Sequence, residues 1–560
     1  MNSASTTRYP ATPQASDGWR LDRITPPSRL FGANGLRTGP DGRIYIAQVT
    51  GSTISALDVS TGALETISAK GGDITAPDDV AFGPDGTLYA TEVMDGRVSA
   101  RSADGCSRVL RDDMPSANGI TVHNGRLFVN ECREGGRLFE LDPAGGAPRL
   151  IAEDLPSPNA MEVGPDGLLY FPVMGANQIW RINPDGGETE VAAGDLGVPD
   201  SVKFDADGFI VSTQVHSGQV LRIDPRTGTQ SVLANLNPGL DNCTFVDGRL
   251  FVSNFTGSVT EVLTGGATRD VLPGGLNWPL DLTVGTDGRL YIADGTYFYA
   301  LAADGSLETV AMLFTPGYPG FVRGLATWGP GEFVVATSGG QVARYRPGSG
   351  ETDYLADGLD QLYGVAPDGD RILVVEQGTG RLLSISAAGT ETVCKGLTSP
   401  VDVVIGPDGP LVSVGGADNS TSEAGRVVAA DGTPVVEDLV SPQGMVIVGT
   451  ALYIVDAGAK AVVAVDLHSG VRSTLAAGLP LGAAPGVTPK PLLGMPPFSG
   501  PQGPFAGIAV GPDGRLYISA DGDGSILSLQ PNGHHDGASR LKTAQNRPNS
   551  DSFESARGVD

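Results

Sequence analysis

Six positions carry the residue types best suited to chemistry in this chain: Asn34, Asp78, Asn118, Asn159, Asp200 and Asp241. Each stands eight residues before a turn glycine, or seven where the turn is one residue shorter. Carboxylate and amide oxygens brought to one place suit a hard cation, because Ca²⁺ takes about six to eight oxygen ligands with loose geometry. Without a cation, three neighbouring carboxylates repel one another and raise at least one pKa.

A repeat must position these residues. GPDGRIYIAQ, GPDGTLYATE, HNGRLFVNE, GPDGLLYFPV, DADGFIVSTQ and VDGRLFVSN are followed by GTDGRLYIAD, GPGEFVVATS, PDGDRILVVE, GPDGPLVSVG, VGTALYIVD and GPDGRLYISA. These are twelve copies at intervals of about forty residues. Each holds short alternating or clustered apolar runs punctuated by Gly, Pro and Asp, which is the pattern of several short strands. Such a unit is one propeller blade, and rings close with about four to eight blades. The expectation is therefore an all-β protein of two tandem six-bladed β-propellers with four-stranded blades. In the Gly-Pro-Asp-Gly turns Pro sets φ at the first corner and Gly takes the conformation that other residues resist, so Asp41, Asp85 and Asp166 read as turn residues.

In this frame the six positions open the innermost strands of the first ring and converge at one mouth of its channel. The matching positions of the second ring are Leu280, Arg323, a neighbour of Tyr363, Val401, Gln443 and Ala506, which share no chemistry. Asp and Asn do cap strand entries by bonding nearby backbone. The second ring has the same backbone task and does without them, so the polar set reads as functional.

Loops after the second strands reach the same rim. Glu92 and Glu131 are candidates to ligate an ion or move a proton, with a solvated rim as the alternative. His216 is the one histidine of five placed there, a candidate general base or an inert loop residue. His123, His468, His534 and His535 read as inert. Asp79 and Asn242 adjoin ring positions and could add oxygens, but Asp281 and Asp402 hold the same place in the second ring with no polar set beside them. Asp294, Glu376, Asp456 and Asp521 read as structural acids at second-strand ends.

The chain has 560 residues, 80 of them Gly and 41 Pro, and a formal charge of −27 with no dense basic run, which excludes nucleic acid and anionic membranes as partners. Four scattered cysteines suggest neither a zinc site nor a disulfide framework. No apolar run has signal-peptide or membrane-span length, so the expectation is a soluble cytoplasmic protein acting on a small molecule. The domain reading is a flexible tail at 1–18, a first propeller at 19–275, a second at 276–535 and a flexible tail at 536–560. Residues 18–24, GWRLDRI, could supply an outer strand that latches a ring shut. A Pro- and Gly-rich insertion at about 475–503 reads equally as a lid or as a spacer against the other ring.

The repeat and the Asn, Asn, Asp series at 118, 159 and 200 resemble the gluconolactonase and regucalcin-like six-bladed propeller superfamily, with NHL-type propellers sharing the blade pattern. The resemblance implies Asn118, Asn159 and Asp200 as metal ligands. The family's first-blade Glu is replaced by Asn34, leaving Glu92 or Asp241 as substitutes for the fourth ligand. It implies a divalent ion, Ca²⁺ ahead of Mg²⁺ or Mn²⁺, and hydrolysis of a lactone or ester with Asp200 or His216 handling protons. A second resemblance, to virginiamycin B lyase-like propellers, implies elimination or isomerisation with His216 and Glu131. A rival of another class is a non-catalytic binding propeller. For that rival the second ring offers Trp278, Tyr297, Phe298, Tyr299, Tyr318, Phe321, Arg323 and Tyr363, which could equally wall the pocket of a hydrophobic substrate.

Overall fold

The computed structural model describes residues 7–313, 315–415, 424–495, 498–499 and 505–532; His534, His535, the expected tail at 536–560 and part of the 475–503 insertion lie outside them. Among the described residues, twelve antiparallel sheets of four strands, one extended by a fifth, follow one another, besides one two-stranded sheet. Blades one to six span 36–68, 77–111, 117–155, 162–193, 199–235 and 240–272. Blades seven to eleven span 279–312, 322–356, 362–395, 400–439 and 442–477, and blade twelve is built on 508–531. Second strands such as Ile44–Gln48 and Leu88–Glu92 are buried at every residue, because both faces of a central strand pack against neighbouring blades. Outer strands such as Arg149–Leu155 are mostly exposed.

The first ring closes within its own sequence: the Thr38 N–H donates to Thr244 Oγ1 at 3.2 Å and the Thr38 hydroxyl to Phe245 O at 2.7 Å. The second ring closes with borrowed chain. Trp19–Arg23 forms the outermost strand of blade twelve, Trp19 opposite Pro531 and Arg23 opposite Leu527. Gln14–Ala15 adds the fifth strand to blade eleven. Two boundaries of the sequence reading are thereby corrected. Residues 7–18 are not a tail, since Tyr9 is buried and Arg8 donates to the carbonyls of Leu30, Asn277, Asp521 and Gly522. Residues 19–23 belong to the second ring, so the first ring is nested inside the second.

The rings meet on the rim that carries the polar mouth. Val49, Val93 and Met94, which follow second strands of blades one and two, share a core with Trp278, Leu280, Tyr363, Val401 and Phe505 of ring two. Leu492 of the insertion joins that core and Lys490 Nζ donates to Asp73 O at 3.2 Å. The described part of the insertion thus packs as a spacer between rings. On the other side Met174, Val198 and Val215 pack with Leu276, Tyr297 and Tyr299. Most of the aromatic residues offered as a docking face or pocket wall are consumed here and in blade cores: Trp278, Tyr297, Phe298, Tyr318, Phe321 and Tyr363 are buried, and Tyr299, though buried as well, lines a cleft on the seam between the rings.

Candidate active site at the mouth of ring one

Four of the six ring positions, Asp78, Asn118, Asp200 and Asp241, are set by a break in the ladder. Pairing of the first two strands shifts register between Pro77 and Val80, Ala117 and Ile120, Pro199 and Val202, and Leu240 and Cys243. The skipped residues are the ring position and its successor, whose side chains are freed from the regular pleat. A polar residue inside the second strand then bridges to the next blade. Thr91 Oγ1 donates to Asn118 O at 2.6 Å, Asn130 Nδ2 to Asn159 O at 2.7 Å, Thr213 Oγ1 to Asp241 O, and Ser253 Oγ to Asn34 O at 2.7 Å. Close approach of the blades demands glycine beside the ring: a Cβ at Gly119 would lie 2.4 Å from Asn159 O.

Side chains then link around the mouth. Asn159 Nδ2 donates to Asp200 Oδ2 at 3.1 Å, and Asn34 Nδ2 to Asp241 Oδ2 at 3.0 Å. Asn118, Asn159, Asp200 and Asp241 are buried, while Asn34 and Asp78 keep partial contact with solvent. Burial, then the charge of Asp79, pushes the Asp78 carboxyl up to about 7. Burial and the neighbouring Asp78 and Asp79 charges hold Asp200 well above the usual carboxylate range. Asp241 is raised in the same way, by burial first and then by Asp200 and Asp78. The Cys132 thiol is raised by burial and by Asp78, Asp200 and Asp241, so it stands over the mouth as a neutral thiol, 4.0 Å from Met174 Sδ.

The donor set suits a hard cation in part. Asn34 Oδ1 accepts from Val49 N–H and Asn159 Oδ1 from Ala160 N–H, whereas Asn118 Oδ1 is buried without a partner. A buried carbonyl oxygen left open is the kind of group that a cation or a substrate donor satisfies. The acids alone do not make a cage: among the described residues no three His, Cys, Asp or Glu side chains gather closely enough to hold a metal ion. Any coordination sphere must mix amide and carboxylate oxygens.

Three of the sequence candidates stand apart from this cluster. Glu92 is fully buried and occupied by Thr75 N–H at 2.6 Å, Arg97 and Ser99. Glu131 is fully buried between Arg133 and Arg137, with Nε of each at 3.2 and 2.8 Å from Oε2. Gln48, Gln214, Asp294, Glu376 and Asp456 likewise take a backbone N–H near their own blade's entry, so the second-strand end is a brace position. His216 is exposed on its turn, where its backbone N–H bonds Gly197 O. Asp79 is also structural, since it accepts from Val80 and Ile120 N–H just as Asp281 accepts from Leu282 and Leu325 and Asp402 from Val403 and Met445.

Three residues beyond the ring positions lies a layer that sequence reasoning missed. Arg37 Nη1 reaches Glu162 Oε2 at 2.7 Å, and its other nitrogens bond Val80 O and Ile120 O. Lys203 Nζ lies 3.6 Å from the same Glu162 oxygen, and Thr121 donates to Glu162 Oε1. With Asp79 4.0 Å from Arg37, two cations balance two anions and plug the channel below the mouth. The signal was available, because these residues repeat the spacing of the polar ring.

The geometry defines a class: a pair of six-bladed β-propellers, one with a mouth of Asp and Asn over a charged layer and one whose matching positions mix Leu280, Val401 and Ala506 with Arg323 and Gln443. Residues 14–255 match the model of the SMP-30/Gluconolactonase/LRE-like region family. Among solved structures the chain is similar to a streptogramin B lyase, at 19% identity over 50% of this chain and 96% of that one, with a TM-score of 0.37. A virginiamycin B lyase from Staphylococcus aureus with quinupristin gives 15% identity, 57% and 96% coverage and a TM-score of 0.30. A nidogen/laminin complex gives 21%, 37%, 79% and 0.33. At these values none of the three bears on activity. No curated protein matches the chain.

Proposed function

We propose that ring one hydrolyses a small lactone or ester at its polar mouth, with a divalent cation, Ca²⁺ ahead of Mg²⁺ or Mn²⁺, held by Asn118, Asn159 and Asp200. The observation that carries this reading is the open, buried Asn118 Oδ1 within a ring whose Asp78, Asp200 and Asp241 carboxyls are raised by burial and by neighbouring carboxylates, Asp79 among them. A bound cation would polarise the substrate carbonyl and stabilise the developing oxyanion. Asp78 has water access and takes the proton of the attacking water as the new C–O bond forms. It returns that proton to the leaving alkoxide as the ester C–O bond breaks. Asn34 and Asp241 orient the substrate from the facing side through their own bond. The charge-balanced plug keeps bulk water from entering through the channel. The elimination reading is the second one, because Glu131, its acid partner, is already held by Arg133 and Arg137.

The test is elemental analysis of protein purified without chelator, beside Asp200→Ala, followed by a panel of lactones and esters. About one equivalent of calcium in the parent, lost in the variant, with turnover of a panel substrate, is the expected result. Metal-free protein that turns over nothing in added Ca²⁺ would overturn the reading.

A further inference from the structure

A cleft of about 640 Å³ opens on the seam between the rings and shares no residue with the ring-one mouth. Blade six and its entry loop form one wall, and blade seven with the Thr25–Pro26 linker forms the other. The volume lies within the range of small-molecule sites, about 300–1,000 Å³.

Its chemistry is unlike the rest of the surface. Of twenty lining residues ten carry a neutral hydroxyl or amide besides Tyr299, and only Asp270 is charged, in a chain with 64 Asp and Glu. Tyr299 lines the cleft along with Leu240 and Val252; it is 3% exposed and its hydroxyl has no hydrogen-bond partner. Its stacked neighbour Tyr297, 5.1 Å away, satisfies its own hydroxyl on Asn254 Oδ1 at 3.1 Å. The contrast matters, because buried hydroxyls are nearly always partnered. Burial keeps the Tyr299 phenol protonated, so it can donate as well as accept. Thr260 donates to one Asp270 oxygen at 2.7 Å, leaving the carboxylate anchored as an acceptor for an incoming hydroxyl.

We propose that this seam cleft is a second binding site, which takes a neutral polyhydroxylated ligand of small-saccharide size and satisfies the Tyr299 hydroxyl. Neutral donors and acceptors on every side match hydroxyls that both give and take hydrogen bonds, and the lone carboxylate disfavours sugar acids.

The test is calorimetric titration of the full chain with glucose, galactose, maltose, cellobiose and lactose, and with glucuronate as the charged control. At least one neutral sugar binds, and glucuronate binds at least about tenfold more weakly. Tyr299→Phe, which removes one oxygen, weakens binding about tenfold with an unchanged thermal melt. Ser306→Trp, at the cleft's edge, abolishes binding, while Asp200→Ala leaves it intact. Absence of binding by every neutral sugar up to tens of millimolar overturns the proposal. So does equal binding by Tyr299→Phe or Ser306→Trp, and so does loss of binding in Asp200→Ala alone, which would move the ligand to the mouth.

Discussion

Ring one and ring two place mouth residues with the same backbone device, but ring one fills those places with Asp and Asn throughout and ring two with residues that share no chemistry. Thr91, Asn130, Thr213 and Ser253 stitch ring one just as Ser413 stitches Gln443 O at 2.9 Å and Ser519 stitches Leu280 O in ring two. Because the stitch is common to both, the Asp and Asn side chains of ring one are not needed for closure. Ring two shows what the positions become when only packing is asked of them: Leu280 and Val401 enter the inter-ring core. Burying carboxylates that repel one another costs stability, and ring one carries that cost at its mouth positions, where ring two places no acid. A second difference is connectivity, since ring one is continuous whereas ring two is latched by Trp19–Arg23.

The largest effect should come from breaking the latch. Removing residues 1–24 takes away seven paired residues, Gln14–Ala15 and Trp19–Arg23, and the packing of Trp19 and Leu21 on the blade eleven and twelve core, worth about 5 kcal/mol or more. Hydrogen exchange should then rise throughout 279–531 while 36–272 keeps its protection. Equal loss in both would show that the rings form one cooperative unit.

The mouths are compared directly by Asp200→Ala and its ring-two counterpart Gln443→Ala. The first should lower kcat/KM on any substrate found by at least about a hundredfold, or about 2.7 kcal/mol, the scale for losing one preorganised electrostatic group. The second should leave kcat/KM within about twofold. An equal loss from both would place catalysis between the rings rather than in ring one.

These positions also mark how far the sequence could be read. Twelve turn motifs made the blade count legible, because each blade repeats the same backbone problem. The polar ring was legible for the same reason: one register position, six times Asp or Asn, against six unlike residues in the other half. For Glu131 and His216 the spacing shows only the rim they occupy, whereas their roles depend on neighbours, such as the two arginines that bind Glu131. Arg133 and Arg137 lie two and six residues from Glu131, yet both equally suited a solvated rim. The nesting of ring one was half legible in GWRLDRI, a strand without a blade, but its partner at the far end of the chain leaves no local trace.

Ring two carries buried acids too, and their pH response separates a structural carboxyl from a functional one. Burial pushes Asp402 up to about 7, although it accepts from Val403 and Met445 N–H. A folded-state value above the unfolded one, about 3.9, means that the folded protein keeps a proton already released by the unfolded chain. Stability is therefore full below about pH 4 and declines as pH rises toward 7. Asp402→Asn should flatten that decline by on the order of 3 kcal/mol between pH 4 and pH 8, as read from urea unfolding at both values. An unchanged slope would show that the two backbone donors keep Asp402 ionised throughout.

The smallest effect expected is also the sharpest division between a brace and a catalyst. Glu131 sits on the functional rim of blade three, and by sequence it is as good a proton carrier as Asp200. In the fold it is fully buried and spends both oxygens on Arg133 and Arg137, which are about one-third exposed. Glu131→Gln keeps the shape and removes the charge, so it strips two guanidinium groups of their counter-ion while leaving them partial access to water. The cost should be about 2 kcal/mol, below the ~3–5 kcal/mol of a fully buried pair. Because no Glu131 oxygen bonds a ring residue, kcat/KM of the folded variant should stay within about threefold and its pH profile should not move. A hundredfold loss of kcat/KM with an unaltered melt would return Glu131 to the catalytic set and erase the contrast between its carboxylate and those of the ring.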